Sequence, residues 1–187
     1  MDIILDAIRN KLLLSNGHQT VVAISGFGGS GKSTLASKIK SAFSNADIIS
    51  IDSFVVNKLS KRSENWDGFD FGRFMREVLE PASHEEPISY GVYDWKEDAV
   101  ITFKSVAPKD VLIVEGCGIF QPNLMPYYDY SIWVDVLLGE ATRRGIARDR
   151  SQGTNWDDKW LTIWQPNEED FFKKYQPDKQ ADFIFRP

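Results

Sequence analysis

A chain of 187 residues, 42% hydrophobic and 26% charged, has the size and balance of one globular domain spanning 1–187. A net charge of -5 without a long basic run argues against a nucleic-acid partner, and no apolar stretch nears the ~20 residues of a membrane span. The single cysteine, Cys117, excludes an internal disulfide and a cysteine-built zinc site, and no secretory leader pattern opens the chain, so a cytoplasmic protein is expected.

Residues 2–14 carry Ile4, Ile8 and Leu12 at helical spacing and predict an amphipathic helix ending before Ser15-Asn16-Gly17. TVVAIS (20–25) is short and β-branched and predicts a buried strand. A glycine-rich turn follows, then a helix over 32–43 with Leu35, Ile39 and Phe43 on one face. ADIISID (46–52) predicts a strand ending in an acid. Residues 59–72 predict a loop entering a helix at about 73–80, and 87–104 a small hairpin or insertion. VLIVEG (111–116) and YSIWVDV (130–136) predict two more buried strands. An arginine-rich helix is expected over 139–151, then a tryptophan-rich segment, then a helix opened by Pro166 with acids in its first turn. ADFIF (181–185) closes as a strand. Strands alternating with helices predict an α/β domain with a mainly parallel sheet.

Between the first strand and the second helix stands Gly26-Phe27-Gly28-Gly29-Ser30-Gly31-Lys32-Ser33-Thr34, which matches GxxxxGK[ST]. Glycines let the backbone curl so that N–H groups point at phosphate oxygens, and the following helix aims its N-terminus at the same anion. Lys32 is expected to reach the β- and γ-phosphates of ATP, and the Ser33 hydroxyl to ligate Mg²⁺. Gly26, Gly28, Gly29, Ser30, Gly31 and Thr34 complete the expected nucleotide-binding set.

Phosphoryl transfer needs positioning, charge neutralisation and a group that orients or deprotonates the acceptor. Asp52, at a strand end, is placed to accept a proton from an acceptor hydroxyl; its alternative role is a turn-forming cap. Glu115 ends an apolar strand and suits a Mg²⁺-associated acid; its alternative is a solvent-facing strand end. Arg144 and Arg148, four apart, share a helix face and could clamp phosphates, or form an ordinary solvated basic face. Trp66, Phe69, Tyr93 and Trp95 gather in the two loop regions, where aromatics can stack on a planar base or simply pack.

The ordered motifs GFGGSGKST, IDSF, NWD…FD, YDW, VLIVEG and RGIARD resemble the uridine kinase and phosphoribulokinase family of P-loop kinases, from residue 20 onward. The resemblance implies a P-loop NTPase fold with an acceptor-binding insertion at about 55–105 and a helical lid at about 139–165. It implies Asp52 as catalytic base, Asp70 holding ribose hydroxyls, Tyr93 lining the nucleoside pocket, Glu115 at Mg²⁺ and Arg148 at the phosphates. Two departures stand out. Trp95-Lys96-Glu97 follows Tyr93-Asp94 where uridine kinases of the family carry His and Arg, and Arg144 is followed by Gly145 where the lid often carries paired arginines.

The expected activity is an ATP- and Mg²⁺-dependent kinase for a small hydroxylated molecule, uridine or cytidine first, with pantothenate, nicotinamide riboside or a sugar phosphate as alternatives. A nucleotide-dependent switch is the reading of another class. Asn57-Lys58-Leu59-Ser60 and Glu115-Gly116-Cys117-Gly118 only approach the motifs such switches use. Nothing in the sequence decides the oligomeric state.

Overall fold

The computed structural model describes residues 1–15 and 17–187; Asn16, in the turn expected after the first helix, lies outside them. Helix α1 (Asp2–Leu14) leads into strand β1 (Thr20–Gly26), the phosphate loop and helix α2 (Lys32–Lys40). Strand β2 (Ala46–Ser50) passes into a 3₁₀ turn, Ile51–Phe54. The strand expected over 46–52 thus ends earlier, and Asp52 rides on the turn beyond it. A helical run α3 (71–83) follows, then the antiparallel pair β3 (Ile88–Asp94) and β4 (Ala99–Val106), which is the hairpin expected at 87–104. Strands β5 (Val111–Glu115) and β6 (Tyr130–Val134), helix α4 (Leu138–Ser151), a helical run α5 (157–175), helix α6 (Pro177–Gln180) and strand β7 (Phe183–Phe185) complete the chain.

The main sheet is five-stranded, in the order β2-β5-β1-β6-β7, and every pairing in it is parallel. Period-2 alternation sorts its side chains onto two faces. Val22, Ile24, Val111 and Ile113 meet Ile4, Ile8, Leu35 and Ile39 of α1 and α2. Val21, Ala23, Leu112 and Val114 belong to a second, aromatic-rich cluster with Phe54, Phe74, Trp133, Trp160 and Phe171. Each such aliphatic side chain contributes roughly 1.5–3 kcal/mol on burial. This is the P-loop NTPase architecture: a parallel sheet flanked by helices, with a hairpin insertion.

The helix expected to open at Pro166 does not open there. Helical structure runs from Asp157, and Pro166 lies inside it just after a π-helical turn, Trp160–Trp164. The same device occurs in α3, where the π turn Met75–Leu79 precedes Pro81. An interior proline lacks an N–H and clashes with the carbonyl four residues back; a widened turn relieves both faults without ending the helix.

Register positions the site. Ile24 of β1 and Ser50 of β2 both pair with Glu115 of β5, so β2 and β5 end level and β1 runs two residues further into the phosphate loop. The phosphate loop, the Asp52 turn and Glu115 therefore share one edge, the carboxyl edge where open α/β sheets bind ligands.

Candidate active site

A cavity of about 810 Å³ opens at that edge, within the range of small-molecule sites. One end is formed by Gly28, Gly29, Gly31, Lys32, Ser33 and Thr34 of the phosphate loop, with Asp52, Glu115, Arg144 and Arg148 around it. Six aromatic residues complete the lining: Trp66, Phe69, Trp95, Trp156, Trp164 and, packed against Gly28 of the loop itself, Trp160.

The loop is shaped by contact as well as by its glycines. Gly29 has φ +82°, and a Cβ there would lie 2.1 Å from the Ala141 carbonyl oxygen of α4. Helix α4 therefore sits directly on the loop. Gly26 ends β1 and Ser30 is buried, its hydroxyl without a partner among the described residues; both shape the loop from behind rather than lining the cavity. The Lys32 ammonium donates to the Phe27 carbonyl at 2.9 Å and to Cys117 Sγ at 3.4 Å. Burial works against its charge, but Cys117, Glu115 and Glu168 outweigh that and hold its pKa above the usual lysine value.

Asp52 Oδ atoms reach the open cavity, yet protein crowds the carboxyl. The lost hydration, and then the charge of Glu115, push its pKa up to about 6 against the pull of Lys32 and Arg148. Glu115 is 6% exposed and accepts the Ser33 hydroxyl at 3.3 Å. A hydroxyl and a carboxylate side by side are oxygen donors of the kind a hard cation takes, so these two residues fit Mg²⁺. Among the described residues no group of three or more acids, histidines or cysteines is placed to hold a metal ion.

Arg144 donates to Glu140 at 2.7 Å and Arg148 to Asp149 at 2.9 Å. Asp149 is buried and also accepts the Trp160 indole N–H at 2.8 Å. Trp160 explains Gly145: a Cβ at that helical position would stand 2.4 Å from the indole ring. The place where an additional lid side chain was expected is filled by Trp160.

Two expected acceptor residues have other partners. Asp70 caps α3 by accepting the Arg73 backbone N–H at 2.8 Å. Tyr93 is buried; its hydroxyl accepts the Lys58 backbone N–H at 3.0 Å and donates to Asp98. Burial, and then Asp98, push that phenol up to about 12. Neither lines the cavity: Asp70 Oδ1 caps α3, and the Tyr93 hydroxyl ties Lys58 to Asp98 within the insertion. Phe69 and Trp95 do line it. Leu59 and Trp66, on the same wall, hold left-handed backbone (φ 50° and 56°), fixed at Leu59 by a 2.9 Å bond from the Trp164 indole N–H to its carbonyl. Such conformations persist only where surroundings over-determine them.

The sequence reading missed Trp156, Trp160, Trp164 and Glu168. Glu168 is 3% exposed, lines the cavity and accepts the Gly28 backbone N–H. The tryptophan density of the segment was the available signal for the first three. For Glu168, 140 residues from Gly28, no local signal exists.

Comparison with known proteins agrees with this architecture. The NB-ARC domain family matches residues 1–79, the part that carries the phosphate loop. The uridine kinase of Oceanobacillus iheyensis is 29% identical over 185 residues, covering 88% of this chain and 84% of that protein. The uridine kinase of Clostridium botulinum strain Okra is 29% identical over 184 residues, covering 88% and 86%. A solved structure from Silicibacter sp. TM1040, described as a fructose transport system kinase, superposes with TM-score 0.75 at 25% identity, over 98% of this chain and 97% of that one. A Bacillus stearothermophilus structure described as a possible uridine kinase shares the fold at TM-score 0.69 and 15% identity, over 99% and 100%. Over 88% of its length the chain is similar to these uridine kinases.

Proposed function

We propose that this chain is an ATP- and Mg²⁺-dependent small-molecule kinase, moving the γ-phosphate onto a hydroxyl of a nucleoside such as uridine or cytidine. The observation that carries the reading is convergence: Lys32, Ser33, Asp52, Glu115, Arg144 and Arg148 come from four separate stretches of chain and meet in one cavity. The loop amides and Lys32 hold the nucleotide phosphates. Ser33 and Glu115 would hold Mg²⁺, which when bound would neutralise phosphate charge. Asp52 takes the proton as the acceptor oxygen bonds to the γ-phosphorus, and the bond to the bridging oxygen of ADP breaks. Arg144 and Arg148 balance the charge on the transferring group. The aromatic wall suits an acceptor with a flat face. The uridine kinases among its relatives support a nucleoside; the changed residues after Tyr93-Asp94 leave room for another metabolite.

The NB-ARC match to residues 1–79 favours a second reading, a nucleotide switch. An ADP-release assay against nucleosides, vitamins and sugars separates the two. The kinase reading expects turnover that depends on one acceptor class; slow hydrolysis indifferent to every acceptor would support the switch.

A further inference from the structure

Glu168 is a buried acid at a place built for anions. Its Oε1 accepts the Gly28 N–H of the phosphate loop and the Cys117 thiol at 3.4 Å, while its Oε2 is buried without a partner among the described residues. A nucleotide phosphate arriving at the loop brings negative charge beside it, and two anions in a site of low dielectric repel strongly. Swinging the side chain away is obstructed. The adjacent Asn167 is 1% exposed and is tied by three bonds, from Arg62 (2.6 Å), from the Ser63 N–H (2.7 Å) and to the Lys61 carbonyl (3.0 Å). Trp160, about two turns earlier on α5, is wedged against Gly28 and Gly145.

We propose that Glu168 is a nucleotide-binding residue that acts as a neutral acid: it takes up one proton when ATP phosphates enter the loop, keeps the Gly28 N–H on one oxygen, and offers the other as an O–H donor. The step forms one O–H bond with a proton from solvent and breaks none in the protein. The groups facing Glu168 are Lys32 from α2, the Gly28 amide from the loop, the Cys117 thiol from the segment after β5, and the uncharged Trp160 ring from its own run. Glu115 and Asp52 lie in the same cavity. Burial already pushes Glu168 up to about 7, against the pull of Lys32, so the proton is available near neutrality. The inference rests on phosphate binding at the loop.

The test is calorimetric titration of the protein with MgATP, acceptor omitted, in buffers of different ionisation enthalpy. At pH 8 the wild type should take up nearly one proton per site, and its affinity should fall by up to about tenfold per pH unit above 7. Glu168→Gln should bind without uptake, with affinity level in pH, and Asp52→Asn should retain the uptake. No uptake by the wild type overturns the proposal whatever the variants do, as does uptake that persists in Glu168→Gln or vanishes in Asp52→Asn. Failure of MgATP to bind at all would instead fell the phosphate-binding reading on which this one stands.

Discussion

Asp52 has the properties a general base needs. It faces the cavity from a turn capped by Ser50, and its pKa of about 6 leaves it ionised yet basic near neutrality. Asp52→Asn should lower kcat by about 10²–10⁴-fold in the ADP-release assay while MgATP still binds. A base must be ionised to work, so kcat/KM should be level above about pH 6 and drop about tenfold per unit below it. Glu168 gives a separate prediction, on stability. Its pKa rises from 4.5 in the unfolded chain to about 7, so the native state holds the extra proton between those values. Stability without nucleotide should therefore fall as pH climbs from about 4.5 to 7 and level off beyond. Glu168→Gln should remove that slope and gain on the order of 2 kcal/mol at pH 8 in urea denaturation.

At the scale of elements, the notable contact is α4 against the phosphate loop, with Trp160 of α5 packed beneath both. Replacing a mid-helix glycine by alanine usually gains roughly 0.5–1 kcal/mol. At Gly145 the sign should reverse. The new methyl would stand 2.4 Å from Trp160, and Gly145→Ala should lose about 1–3 kcal/mol by thermal melting. The strands were legible because buried parallel strands are short β-branched runs, and the helix α4 because its polar face recurs at helical spacing. Pro166 misled because a proline with acids just after it reads as a helix start; the π turn Trp160–Trp164 ahead of it makes it an interior residue. Asp70 and Tyr93 misled for a related reason. Their types suit an acceptor pocket, but partners in the fold, Arg73 for one and Lys58 and Asp98 for the other, take up their hydrogen bonds.

At the scale of the molecule, strand register does what no local pattern could announce. Pairing both Ile24 and Ser50 with Glu115 brings three distant stretches to one level and makes a single cavity of them. The turn of the phosphate loop was legible, since GxxxxGK[ST] encodes its own shape, whereas Glu168 and Trp160, which pack against its Gly28, were not. The aromatic wall was legible in part: Trp66, Phe69 and Trp95 drew notice, whereas Trp156 and Trp164 arrive from far along the chain. Transfer to an acceptor is directly observable by ³¹P NMR of the protein with MgATP and uridine or cytidine. A kinase should give a new phosphomonoester signal growing in step with ADP and absent without the nucleoside. ADP accompanied only by inorganic phosphate, at a rate the nucleosides leave unchanged, would contradict it.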